Sequence, residues 1–191
     1  MRPLRLAVPA ALVLVALVLV PANAVAGVGF FQLALFSPAQ LVPPENAIVG
    51  VRADLIYGKN SSMSGLDLGL VNHTTGLETG WQLGGVGYVE GTFVGWQDNW
   101  VNVTRGTFTG FQSGIVNHTG RTTAALQIAA VNHGGEVVGC QLGWVNYTES
   151  MHGLQVGLVN WTKQMHGLQV GMGNIIEKGK YPFLPVVNWS L

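Results

Sequence analysis

The sequence predicts an all-β fold, a repetitive antiparallel meander or a small up-and-down barrel of about ten to twelve strands. Three observations predict it. An Asn returns every 14 or 15 residues, at Asn72, Asn102, Asn117, Asn132, Asn146, Asn160, Asn174 and Asn188, with Gly87 in the vacant place and Tyr57 extending the series backwards. The stretch before each Asn reads Gly-apolar-Gln-apolar-Gly-apolar-Val, as in Gly153 to Asn160. Within that stretch, residues two, four and six before the Asn are mostly large and apolar, with Gln or Gly between them, the period-2 pattern of a strand.

From the N-terminus, residues 1–26 read as a signal peptide. Arg2 and Arg5 precede an apolar stretch from Leu6 to Val20, and small residues follow at Ala22-Asn23-Ala24 and Ala24-Val25-Ala26. The apolar stretch is shorter than the roughly 20 residues that a membrane-crossing helix needs. Residues 27–49 are expected to form a lead-in strand over 29–36 and a Pro-rich connection over 37–46. Residues 50–191 then carry ten copies of the repeat. In many copies another apolar residue stands nine before the Asn (Phe93, Phe108, Val137, Met151, Met165), extending the strand to about ten residues. A connector of four or five residues remains, and the difference between 14- and 15-residue copies is placed there. Pro182 and Pro185 suit an edge strand in the last copy.

A second architecture satisfies the same spacing. Each copy could be one coil of a parallel β-solenoid, with its Asn and Gln stacked as ladders. The meander is preferred because a ten-residue strand and a short turn fit hairpin lengths directly.

Composition excludes several functions. Without Arg2 and Arg5 the chain holds 7 basic and 9 acidic residues, so it lacks the basic footprint of a nucleic-acid binder. Charged residues make up 9% of the chain, against about 25% in an ordinary soluble domain. That scarcity suits a protein that meets lipid or repeats tightly on itself. Cys140 occupies an apolar slot and reads as a small buried hydrophobe. No nucleophile elbow, phosphate loop or His-Glu-x-x-His motif is present, so no catalytic residue, metal ligand or cofactor is assigned and the chain is read as no enzyme.

The repeat columns are the candidate sites. Six of the Asn begin Asn-x-Ser/Thr, the pattern of a glycosylation acceptor. The preferred reading is a structural turn, in which Asn caps the backbone and the repeat copies it. Gln82, Gln97, Gln112, Gln127, Gln141, Gln155 and Gln169 form a second column, read as a hydrogen-bonded amide ladder in preference to a pore lining. His73, His118 and His133 follow the Asn, while His152 and His166 stand eight before it; no carboxylate or Cys recurs beside them to complete a metal site. Tyr147, Trp161 and Trp189 share the slot after the Asn, where aromatic residues would form the girdle of a membrane barrel or pack over turns. Asp98 and Asn99 interrupt an apolar copy between Trp96 and Trp100, and read as a decayed repeat facing solvent.

The chain resembles a family of bacterial surface repeat-containing proteins of leptospiral type. The resemblance lies in Leu35 to Leu41, Val51 to Asn60, Gly65 to Asn72 and the ending Phe183 to Leu191. It implies export and an outer-membrane or cell-surface location in a bacterium with two membranes, and no defined activity. Members commonly end in an aromatic residue, where this chain has Leu191.

The expected function is a structural or interaction role at the surface or outer membrane, with apolar columns turned to lipid and Gln and Gly inward. Membrane lipid is the expected partner, with a protein partner or self-association as the other option. One alternative inverts the faces and makes the protein a carrier of lipid or another apolar ligand. Another is a solenoid whose flat face serves adhesion or self-association.

Overall fold

Gly153 has a φ of 137°, and its equivalents Gly65, Gly80, Gly95, Gly110, Gly139 and Gly167 share that left-handed backbone. This column bends the chain inside the stretch that the sequence pattern reads as one ten-residue strand. The computed structural model describes residues 27–191; the signal peptide expected over 1–26 lies outside them.

The result is a parallel β-solenoid of about nine coils, and the expected antiparallel meander or barrel is not formed. The strands are β1 (Val28–Phe36), β2 (Ala39–Gln40), β3 (Ala47–Asn60), β4 (Ser62–Thr74), β5 (Glu78–Val89), β6 (Phe93–Thr104), β7 (Phe108–Leu142), β8 (Val145–Ile176) and β9 (Phe183–Ser190). They form one sheet in the order β2-β1-β3-β4-β5-β6-β7-β8-β9. Pairing is parallel from β1 to β8, and like residues meet: Gly80 with Gly95, Gln97 with Gln112, Asn102 with Asn117. β7 and β8 each cover more than one coil, so Gln127 stacks on Gln112 and Gln169 on Gln155.

Each coil has three corners. One lies seven residues before the Asn, at a positive-φ Gly in the coils from Asn72 to Asn174 except that of Asn132, which has Ala125 there. The other two show as adjacent outward-facing residues: Leu158 and Val159 before Asn160, then Lys163 and Gln164 after Thr162. The last corner absorbs the length change. Three residues separate Thr74 from the inward Glu78, and two separate Thr162 from the inward Met165.

Two details of the expected array are corrected. A register shift between Asp54 and Tyr57 sets Gly58, not Tyr57, against Asn72. The tenth copy reverses: β9 runs antiparallel to β8, and Asn188 faces Gln169. At the other end β2 is antiparallel to β1, so each end of the sheet carries one reversed strand. β9 holds Pro185, which can donate no ladder hydrogen bond and suits such an edge.

The glycine corner is sterically closed. A Cβ added to Gly153 would lie 2.0 Å from the carbonyl oxygen of Gly139 on the preceding coil. Gly153→Ala is expected to destabilise the fold by about 2 kcal/mol or more, from strained φ and backbone overlap together. Denaturant unfolding of the variant beside a surface control such as Gln164→Ala measures it.

Candidate docking face and the polar interior beneath it

A regular coil points four side chains inward: the residue nine before the Asn, the Gln, the Asn, and the residue two after it. In the coil of Asn160 these are Met151, Gln155, Asn160 and Thr162, all buried. The columns six, four and two before the Asn point out. The usual dressing of a protein is therefore reversed, with amides inside and Leu, Val and Trp outside. Lipid-facing apolar columns over inward Gln and Gly were expected on a barrel wall; here the same polarity appears on a filled prism. Among the described residues, the interior positions are occupied by these amides together with Thr and a few apolar side chains.

Burying amides costs free energy unless each is paired, and most of these are; the side-chain oxygens of Asn60, Asn72, Asn99 and Gln169 are the exceptions among the described residues. Asn102 Nδ2 donates to Asn117 Oδ1 at 2.8 Å, and the series continues through Asn132, Asn146 and Asn160 to Asn174 at 2.8–2.9 Å. The same Nδ2 groups also donate to a backbone carbonyl of the next coil, as Asn146 does to Val156 at 2.9 Å. That carbonyl fixes which end of the amide is nitrogen. The Asn column thus lies inside on extended backbone, with every one of these side chains fully buried. The Asn-x-Ser/Thr positions offer no accessible acceptor in the folded chain.

The Gln ladder runs the other way. Gln169 Nε2 donates to Gln155 Oε1, and the series passes through Gln141, Gln127, Gln112 and Gln97 to Gln82 at 2.7–2.8 Å. Donors point toward the C-terminal coils in the Asn ladder and toward the N-terminal coils in the Gln ladder. The two stacks of amide dipoles therefore oppose one another.

Two gaps in the Asn column are filled from neighbouring positions. Gly87 replaces an Asn, and Asn99, where other coils mostly have Gly, enters the space. Asn99 Nδ2 donates to Gln82 Oε1 at 3.0 Å and to Asn102 Oδ1 at 2.7 Å, tying the two ladders together. It is buried, so the expected solvent-facing decay of this copy applies to Asp98 alone. At Gly58 the space is taken by Asp54, whose carboxyl occupies the volume that a Cβ there would need.

The Gln column ends on an ionic cluster. Arg52 and Asp67 occupy Gln-column positions and form a two-pronged pair at 2.6 Å on each prong. Gln82 Nε2 donates to Asp67 Oδ2 at 3.1 Å and to Glu78 Oε1 at 2.8 Å. A carboxylate only accepts, so it obliges Gln82 to present its nitrogen, and every later Gln follows. Arg52 also meets Asp54 Oδ2 at 3.3 Å and Glu78 Oε2 at 3.8 Å, so one cation serves three buried carboxyls. Burial, reinforced by Asp67, pushes Asp54 up to about 7, although Arg52 pulls against it. Burial and Asp67 likewise hold Glu78 well above the usual carboxylate range. Burial alone would lower Arg52; the carboxylates around it outweigh that and hold it protonated. Sequence reasoning missed this cluster, although Arg52 and Asp67 stand 15 residues apart in the Gln register.

Outside, one side of the prism is almost free of charge. It carries the columns six, four and two before the Asn, with Trp100 65%, Trp144 68% and Met172 76% exposed. Asp98 is its one charged residue, and Ser113 Oγ donates to Asp98 Oδ1 at 2.7 Å. Every other charged side chain that the coils expose lies one to four residues after the Asn position, as Glu90, Arg105, Arg121, Glu149 and Lys163 do. A shallow depression of about 460 Å³ lies at that charged corner, between Glu90, Arg105 and Arg121. On the apolar side Trp81 stacks on Trp96, with ring centroids 5.0 Å apart. Cys140 sits there half-buried, as a free thiol.

The His columns also form stacks, not ligand sets. His118 lies 4.6 Å from His133, which lies 5.1 Å from Tyr147, and His152 lies 5.5 Å from His166. Burial lowers the pKa of His118 and His133. Among the described residues no group of three His, Cys, Asp or Glu is placed to hold a metal. Comparison of the chain with protein families, curated proteins and solved structures finds no match.

Two predictions follow from the interior. Gly87→Asn is expected to clash with Gln82 and Asn99, and Asn99→Gly to leave Asn102 Oδ1 without its local donor, each costing about 1–3 kcal/mol. The double variant restores the regular Asn column, so a double-mutant cycle by denaturant unfolding should show coupling above about 0.5 kcal/mol, and simple additivity would refute the shared-space account. The second concerns pH. An unfolded Asp54 ionises near its ordinary 3.8, whereas the folded one keeps its proton to about 7. Between these values the unfolded chain releases a proton that the folded chain retains, so this group makes stability fall as pH rises. Asp54→Asn should flatten that slope, read from unfolding midpoints at pH 4.5, 6 and 7.5.

Proposed function

We propose that this chain is an exported, non-catalytic solenoid that works as an interaction scaffold at the surface or outer membrane. Its charge-free side is the docking face. The observation that carries the reading is the segregation of charge: on the coils, Asp98 aside, every exposed charge is gathered at or beside one corner, away from the Leu/Val/Trp side. Large apolar side chains in one contiguous block signal a surface that is covered in use. The interior supports the role mechanically, because two continuous amide ladders hold the face flat. The proposed location rests on the signal-like N-terminus and on the resemblance to surface repeat proteins. A bilayer is a second occupant of the face, favoured by the four exposed Trp that it carries, Trp81, Trp96, Trp100 and Trp144.

Fractionation of a two-membrane bacterium producing the chain tests the proposal. The native protein is expected in the envelope fraction. Ile128→Asp with Leu158→Asp, both exposed on the face, is expected to release at least about tenfold more protein into soluble fractions while keeping a β-type circular dichroism spectrum. Identical fractionation of parent and variant would refute the docking face.

A further inference from the structure

We infer that the occupant of the docking face is a second copy of this chain, packed face to face; the inference rests on the docking-face reading. Three observations carry it. The first is shape. The face is a grid of ridges repeated coil by coil, in register from β4 to β8. Coils stacked at strand spacing, about 4.8 Å, give ridges that another face of the same period can interleave along its whole length, as in dry interfaces between stacked strands.

The second is size. About nine coils span roughly 40 Å, and five extended residues across the face span roughly 15 Å. That gives about 600 Å² per copy and about 1,200 Å² in a pair, the lower bound for a specific stable interface.

The third is charge. A surface that settles on anionic lipid carries Lys or Arg along the rim of its apolar side. Here Arg105, Arg121 and Lys163 stand at the distant corner among Glu90, Glu136 and Glu149, and Lys163 is paired with Glu149 at 2.7 Å. A neutral apolar grid without a basic rim suits an identical neutral grid. Closed pairing of two copies is isologous, so one patch meets itself about a two-fold axis. Asp98 then enters the interface, and its desolvation opposes association. It sets the affinity of the pair.

Analytical ultracentrifugation of the purified protein, without lipid, tests the inference. The native chain is expected to pass from monomer to dimer as concentration rises. Asp98→Leu is expected to tighten the pair by about tenfold or more, and Leu158→Asp to weaken it by about a hundredfold. The free thiol of Cys140 reports in the unmodified protein, its maleimide labelling slowing as dimer forms. A native chain that stays monomeric at all concentrations overturns the inference, as does a dimer indifferent to both substitutions. If the monomer floats with phosphatidylglycerol-containing vesicles, and Leu158→Asp abolishes flotation, lipid takes the place of the second copy while the docking face stands. If neither dimer nor flotation is seen and envelope retention ignores the face variants, both readings fall.

Discussion

The side-chain amide hydrogen bond between successive coils is the interaction on which the rest of this structure depends. An Asn or Gln in a dry interior is tolerable only if its donors and acceptor are met. A parallel stack in register meets them with the same group one coil away, whatever the length of the array. The repeat in the sequence is thus a chemical requirement of the interior. Each level must present an amide at the same two places, because a missing rung strands its neighbours. At the level of Gly87 the missing donor is supplied by Asn99, whereas at Gly58 the Asp54 carboxyl fills the space and Asn72 Oδ1 goes without a partner. At the N-terminal end of the Gln column a carboxylate takes the last N–H, so the ladder closes on a group that can do nothing but accept.

Filling the interior with amides moves the large aliphatic and indole side chains outward. Apart from the residues nine before the Asn, such as the stacked Phe93 and Phe108 with centroids 5.4 Å apart, little apolar bulk remains inside. The scarcity of charge seen in the composition then has a location. Exposed charges cluster on one corner and a whole side goes without. A prism with a wet corner and a dry side is polar in cross-section, as an amphipathic helix is, but it is held rigid by backbone and side-chain ladders together.

Much of this was legible in the sequence. The period, the extended backbone, the inward Gln column, the outward Leu/Val/Trp columns and the connector that absorbs one residue can all be read from Gly153 to Asn160 and its copies. Strand direction was not, because a period-2 pattern records which side a residue faces and says nothing of where the chain turns back. The deciding signal was Gly153 and its equivalents. Read as small spacers in a strand, they are corners, and three corners in 14 residues leave no room for a hairpin. The Asn column misled for a related reason. Asn is at home in turns, and only the pairing of like with like across coils shows it to be an interior rung. The ionic cluster stayed hidden because Arg52 and Asp67 break the repeat that otherwise guides the eye.

The reversed strand β9 covers the C-terminal coil of the parallel stack. A bare parallel end would expose an in-register template on which further chains could stack without limit. β9 runs against that template, and Pro185 denies this strand one of its donors. The coils from Asn132 to Asn174 are nearly interchangeable, each touching only the ones before and after it. Evolution can therefore lengthen or shorten the protein by one whole turn at a time, through duplication or loss of a single 14-residue unit, without redesigning either terminus.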